Sequence, residues 1–108
     1  MNEKASKPYT IRLFIPDGDP NSFKIIDRMN WTGVGLEVAR DSWDKYKNRK
    51  EFAQAGVYIL IGYGDDPDLP IVYIGQGDGV KDRIESHIKN KLFWDKVLVF
   101  ISSDGGLN

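Results

Sequence analysis

The chain contains no cysteine among its 108 residues. Disulfides, thiolate zinc sites and thiol nucleophiles are therefore excluded, and the composition is compatible with a reducing compartment. A single histidine, His87, cannot build a multi-histidine metal centre. Any metal would be a hard, oxygen-bound cation such as Mg²⁺ or Mn²⁺. No apolar run approaches the ~20 residues of a membrane helix. The polar start, Met1 to Pro8, predicts no signal peptide, so the expected location is cytoplasmic, away from membranes. A basic excess is missing too: the net charge is −1. Met1–Ala55 carries a net +2 and Gly56–Asn108 a net −3, whereas a tight duplex-DNA binder usually presents a basic surface.

What is present fits one domain of ordinary globular composition, 41% hydrophobic and 29% charged. Tyr9 to Ile15 alternates apolar and polar as a strand does. Pro16 to Asn21 is turn chemistry, and Phe23 to Met29 predicts a second strand completing a hairpin. Asn30 to Gly33 predicts a turn with a buried or half-buried Trp31 indole, and Gly35 to Ala39 a short third strand. Asp41 is a candidate N-cap for a polar helix over Ser42–Phe52. Lys45, Lys47, Arg49 and Lys50 cluster there, either as a solvated face or as a patch contacting nucleic-acid phosphates.

The stretch Gly56–Gly75 holds two β-rich runs, Val57–Ile61 and Ile71–Ile74, around a turn-forming centre. Asp65, Asp66 and Asp68 in that centre lack calcium-loop spacing and predict a solvated hairpin loop. Gly75-Gln76-Gly77-Asp78-Gly79 then opens a helix, with Asp78 a candidate cap. The glycines complete neither the dinucleotide nor the Walker pattern. In the helix, about Val80–Lys91, Val80, Ile84 and Ile88 form an apolar stripe. Arg83 and His87, four apart, share a face at its edge. Val97–Ile101 predicts a final strand, followed by a loop from Ser102 to Asn108.

Tyr58, Tyr73, Arg83 and His87 are the residues that could carry chemistry. Either tyrosine alone reads as a strand packing residue. Converging at one end of a sheet, the four would suit phosphodiester cleavage. A tyrosine serves as general base if its pKa is lowered by cations or through a metal-bound water. Arginine can offset charge on a pentavalent phosphate, and histidine can orient a group or move a proton.

These residues resemble the motifs of the GIY-YIG nuclease superfamily. Gly56-Val57-Tyr58 is similar to its first motif and Tyr73-Ile74-Gly75 matches its second. Arg83 lies at the family's helix arginine, and His87 one turn on. The resemblance covers about Gly56 to Asn108. It implies an α+β fold with a small, mainly antiparallel central sheet and flanking helices. It also implies metal-dependent DNA hydrolysis with Mg²⁺ or Mn²⁺. In that scheme Tyr58 is general base, Tyr73 supports the site or its water network, Arg83 stabilises the transition state and His87 assists; Gly56 and Gly75 are motif glycines. The family's metal-binding glutamate sits on a helix after the last strand. No acidic residue follows Asp104, itself a poor substitute in a glycine-rich loop. The expectation is a chain that stops before that ligand and shows little or no cleavage alone, or a short protein that lost it. The alternative function is a non-catalytic nucleic-acid- or protein-interaction module on a degenerate nuclease fold. Upstream, Ile11–Phe14, Asp17–Pro20 and Asn30–Gly33 resemble an N-terminal β-rich extension, residues 1–55, found in a subgroup of the superfamily; it implies no role.

Overall fold

A computed structural model describes residues 7–28 and 31–102. The fold is α+β. Strands β1 (Ile11–Phe14), β2 (Phe23–Arg28) and β3 (Gly33–Ala39) lead to a short helix α1 (Trp43–Tyr46). Strands β4 (Gly56–Tyr63) and β5 (Pro70–Gly77), helix α2 (Val80–Asn90) and strand β6 (Trp94–Ser102) follow. All six strands join one antiparallel sheet in the order β1-β2-β3-β6-β4-β5. The sheet's two halves meet where β3 pairs with β6 from Gly33–Ser102 to Ala39–Lys96.

Strict alternation in β4 decides which way the sheet faces. Gly56, Tyr58, Leu60 and Gly62 are buried, while Val57, Ile59, Ile61 and Tyr63 are not. On the buried face Tyr58, Leu60, Val97, Val99 and Ile101 pack with Leu36, Val38 and Phe23, and α1 and α2 cover them with Trp43, Tyr46, Val80 and Ile84. Val80 and Ile84 of the expected stripe are fully buried, and Ile88 packs at its margin.

The polar stretch after β3 is not the single helix expected over Ser42–Phe52. It is a 3-10 turn (Arg40–Ser42), α1, and a second 3-10 turn (Lys50–Ala53). The reason is geometric. Nine residues separate Trp43 from Phe52, so a continuous helix would set them about 180° apart. Both belong in one core, with their rings 5.0 Å apart. The chain satisfies this by turning extended at Arg49 (φ −65°, ψ 144°).

Neither expected side-chain cap forms. Asp41 lies inside the first 3-10 turn, and α2 starts from Gly79 without a side-chain hydrogen bond. Trp31 is not buried: its indole is 53% exposed. It lies flat on Gly33, whose missing side chain leaves the room. Asn30 and Asp104 fall outside the described residues.

The turn from Pro16 to Asn21 is anchored by Asp17. Its carboxylate accepts hydrogen bonds from the Tyr46 hydroxyl, the Asp19 N–H and the Ser22 hydroxyl. Those bonds, the Tyr46 one foremost, hold its pKa well below the usual carboxylate range. The loop with Asp65, Asp66 and Asp68 is exposed and closed by its own Asp66–Asp68 turn, 2.9 Å from carboxylate to N–H. It is a solvated hairpin loop.

Candidate active site

The β4–β5 register sets Tyr58 opposite Gly75 and Leu60 opposite Tyr73. Tyr58 therefore lies across Gly75, where a Cβ would fall 2.4 Å from its Cζ and hydroxyl. Only glycine admits this approach. Two pairs along, on the same face, Gly77 does the same for Arg83, whose Cγ would stand 2.9 Å from an added Cβ. The expected motif glycine Gly56 opens β4, paired with Gly77 on one side and Ile101 of β6 on the other. The glycines of this hairpin thus make a floor on which a phenol and a guanidinium can rest.

Helix α2 brings His87 onto the same floor. The Tyr58 hydroxyl and His87 Nε2 are 2.8 Å apart, with Tyr58 2% and His87 9% exposed. Tyr73 stands at the mouth, 38% exposed. Its ring lies 6.4 Å from that of Tyr58 and edge-on to His87 at 5.0 Å. Lys91 Nζ sits 4.6 Å from the Tyr73 centroid. Arg83 is exposed and has no ion-pair partner among the described residues. It borders an open cleft with Gly56, Val57, Gln76, Gly77 and Asp78. Tyr58, Tyr73 and His87 are thus one cluster, and Arg83, at the neighbouring cleft, acts on Tyr58 and His87 through its charge. A second open cleft, beside Arg40, Trp43 and Ile88 with the carboxylates of Asp41, Asp44 and Asp95, contains none of them.

Burial pushes the Tyr58 pKa up, and repulsion from Tyr73 adds to this; Arg83 pulls in the opposite direction. Burial lowers the His87 pKa, helped by the charges of Lys91 and Arg83. The resting pair is therefore a protonated phenol and a neutral imidazole. With the imidazole proton on Nδ1, Nε2 accepts the Tyr58 hydroxyl proton.

Three contributors are not among the residues singled out from the sequence. Lys91 continues the Arg83–His87 spacing by four in sequence, but it lies just past α2 in extended backbone (φ −128°, ψ 119°), so helical spacing alone does not place it. Trp94 donates from its indole to the His87 carbonyl, 3.3 Å away. Arg40 gives no sequence signal at all. Its guanidinium reaches the carbonyls of Ile88 (2.7 Å), Lys91 (2.8 Å) and Trp94 (3.2 Å), and lies 4.5 Å from the Trp94 ring centroid. It thereby closes the C-terminus of α2, where unpaired carbonyls favour a cation.

The basic stretch beside α1 is mostly self-neutralised. Lys45 pairs with Asp17 (3.4 Å), Lys47 with Asp44 (3.2 Å) and Arg49 with Glu51 (3.1 Å), leaving Lys50 without an ion pair among the described residues. Among the described residues no three His, Asp or Glu side chains come together as a metal-holding group. No described helix is long and apolar enough to cross a membrane. Comparison with protein-family models, curated proteins and solved structures finds no match in any of the three.

Proposed function

We propose that Tyr58, Tyr73, Arg83 and His87 form a phosphodiester site of the GIY-YIG kind, on a domain that belongs to a metal-dependent DNA endonuclease. The supporting observation is the buried Tyr58–His87 hydrogen bond within electrostatic reach of Arg83, which has no ion-pair partner among the described residues. The arrangement β5-β4-β6 with α2 packed on one face agrees with the small antiparallel sheet that the motifs imply, with residues 1–55 as its β-rich extension.

In this reading Arg83 binds two phosphate oxygens as a fork and offsets the charge that grows on them during attack. Tyr58 takes a proton from the attacking water while its own hydroxyl proton passes to His87 Nε2. A neutral imidazole is the form able to accept it. Tyr73 and Lys91 line the mouth. No step is assigned to a metal, since no group of three acidic or histidine ligands lies among the described residues. Without such help, worth several kcal/mol in metal-dependent hydrolysis, this chain should leave supercoiled plasmid intact in Mg²⁺ or Mn²⁺. Robust nicking that disappears in Tyr58→Phe and Arg83→Ala would overturn that expectation.

Binding tests the site itself. Amide NMR titration with a short DNA duplex at low salt should shift Gly77, Arg83 and His87. Arg83→Ala should weaken binding about tenfold, the loss of a charged hydrogen bond. Shifts confined to Lys45–Lys50, or none, would sink the proposal. The second reading, a non-catalytic interaction module for nucleic acid or protein, draws on the upward shift of the Tyr58 pKa, which disfavours a base in the resting chain. A Tyr58 titration that stays above the ordinary tyrosine range with DNA and Mn²⁺ bound favours the module; one that drops favours the enzyme.

A further inference from the structure

Strand β5 and helix α2 run side by side past the phenol–imidazole pair, and their residues advance in step. The β5 positions on the helix-covered face are Tyr73, Gly75 and Gly77, opposite Leu60, Tyr58 and Gly56 of β4. Two residues of strand advance about 7 Å, and four residues of helix about 6 Å. Arg83 rests on Gly77. His87, one turn on, bonds the Tyr58 hydroxyl where that ring crosses Gly75. Lys91, just past the end of α2, holds its ammonium 4.6 Å from the centre of the Tyr73 ring. Helix and strand thus measure the same span, roughly 12 Å from Arg83 to Lys91. A cation stands at each end of it, with the Tyr58–His87 pair between them.

The backbone of Lys91 is fixed on both sides. Its N–H donates to the His87 carbonyl at 2.9 Å, and its carbonyl accepts from Arg40 at 2.8 Å. Neither Lys91 nor Arg83 has an ion-pair partner among the described residues; Asp78 borders the Arg83 cleft without pairing with it. The Lys91 charge also reaches the centre of the row, since it and Arg83 both lower the His87 pKa. Two uncompensated cations spaced along one groove suit a ligand that repeats negative charge along its length. We propose that Lys91 is a second phosphate-binding residue of this site, holding a phosphate farther along the same nucleic-acid strand as the one Arg83 holds. The bound nucleic-acid strand then lies along the groove between β5 and α2. This rests on the phosphodiester reading of Tyr58, Arg83 and His87, and adds to it the path of the substrate. The two cations divide the work by their shapes. Arg83 forks onto the oxygens of the phosphate under attack, whereas the Lys91 ammonium acts as a point charge on a phosphate nearby.

Fluorescence anisotropy of the full chain with a short labelled DNA duplex, repeated over a series of salt concentrations, tests this. Each phosphate contact contributes about 0.9 to the slope of log affinity against log salt. Lys91→Gln should therefore lower the slope by about 0.9, and Lys91→Arg should restore it. A lysine that served only to close α2 would leave the slope unchanged. At a separation of roughly 12 Å, the losses in Lys91→Gln and Arg83→Ala should add in the double variant. Duplexes neutralised at single phosphates by methylphosphonate locate the contacts. The phosphate whose neutralisation no longer matters in Lys91→Gln should lie within a few nucleotides of the one assigned in the same way to Arg83, on the same nucleic-acid strand. A Lys91→Gln slope equal to that of the wild type, or the two phosphates on opposite strands of the duplex, would overturn the proposal and leave the Arg83 site standing. A duplex that does not bind, or that binds Arg83→Ala as well as the wild type, would reject the phosphodiester reading and the role of Lys91 with it.

Discussion

At the scale of single residues, Tyr58 and His87 constrain each other. The phenol is pinned over Gly75 and the imidazole has Lys91 and Arg83 as its charged neighbours. Protonating His87 would add a third positive charge to that group and remove the acceptor of the Tyr58 proton. The consequence for stability has a definite sign. A histidine whose pKa is lower in the folded than in the unfolded chain leaves the unfolded state binding more protons as pH falls. Its contribution is complete above the unfolded value, about 6.5, and is lost as pH drops below it. Denaturation midpoints should therefore fall between neutrality and pH about 5, with a slope from this residue of at most about 1.4 kcal/mol per pH unit. His87→Gln should flatten that part of the profile while leaving the loss near pH 4 and below, which Asp17 and other hydrogen-bonded carboxylates cause. A wild-type profile already flat from pH 7 to 5 would contradict the burial assigned to His87.

At the scale of elements, α2 is held at both ends by the chain's first half. The Val80 N–H donates to the Gln54 carbonyl at 3.1 Å. Trp43 donates from its indole to Glu85 mid-helix. Arg40 satisfies carbonyls at the helix end that no side chain of the second half reaches. Removing it leaves those carbonyls half-buried and unpaired, so Arg40→Ala should cost about 1.5–3 kcal/mol, the usual range for charged hydrogen bonds. Amide exchange should accelerate in the last turn of α2, from His87 to Lys91, more than in β4. Arg40→Lys should restore part of the stability, because an ammonium still answers the helix end but cannot fork to three carbonyls. An exchange pattern that rises uniformly across the sheet would argue against this local role. The strands were legible because their signal is local. Tyr58, Leu60, Val97 and Val99 alternate visibly, as Val80 and Ile84 repeat by four. What Arg40 does was not legible, since its partners are backbone groups some fifty positions away. The broken helix over residues 42–52 was not legible either. Tertiary demand on Phe52 overrode a polar stretch with ordinary helix propensity, and Trp31 found its room only because Gly33 lies beside it. The closeness of Tyr58, Tyr73 and His87 was legible from the strand, strand, helix order of the residues that carry them. The site's electrostatics were not, because the upward shift of the Tyr58 pKa comes from burial that no motif states.

At the scale of the whole molecule, the two sequence halves form one ladder and one core. Phe23, Leu36 and Val38 from the first half pack in the same cluster as Tyr58, Val97 and Ile101 from the second. Phe52 sits at the junction, fully buried, edge-on to Trp43 at 5.0 Å and 6.2 Å from Phe23. A chain of this size with a single core should unfold in one cooperative step. Tryptophan fluorescence, which follows Trp43 and Trp94 in the core, and far-ultraviolet circular dichroism, which follows the sheet, should give coincident transitions. Phe52→Ala should lower stability by about 3–5 kcal/mol, the range for deleting a buried aromatic ring. The loss should appear equally in NMR probes of β2, in the first half of the chain, and of α2, which carries His87. If residues 1–55 were an independent appendage, β2 would melt first and the Tyr58–His87 pair would persist with α2 still folded. Two separated transitions, or an α2 untouched by Phe52→Ala, would reject the shared core. Their absence would mean that the candidate site cannot be trimmed away from the strands that precede it.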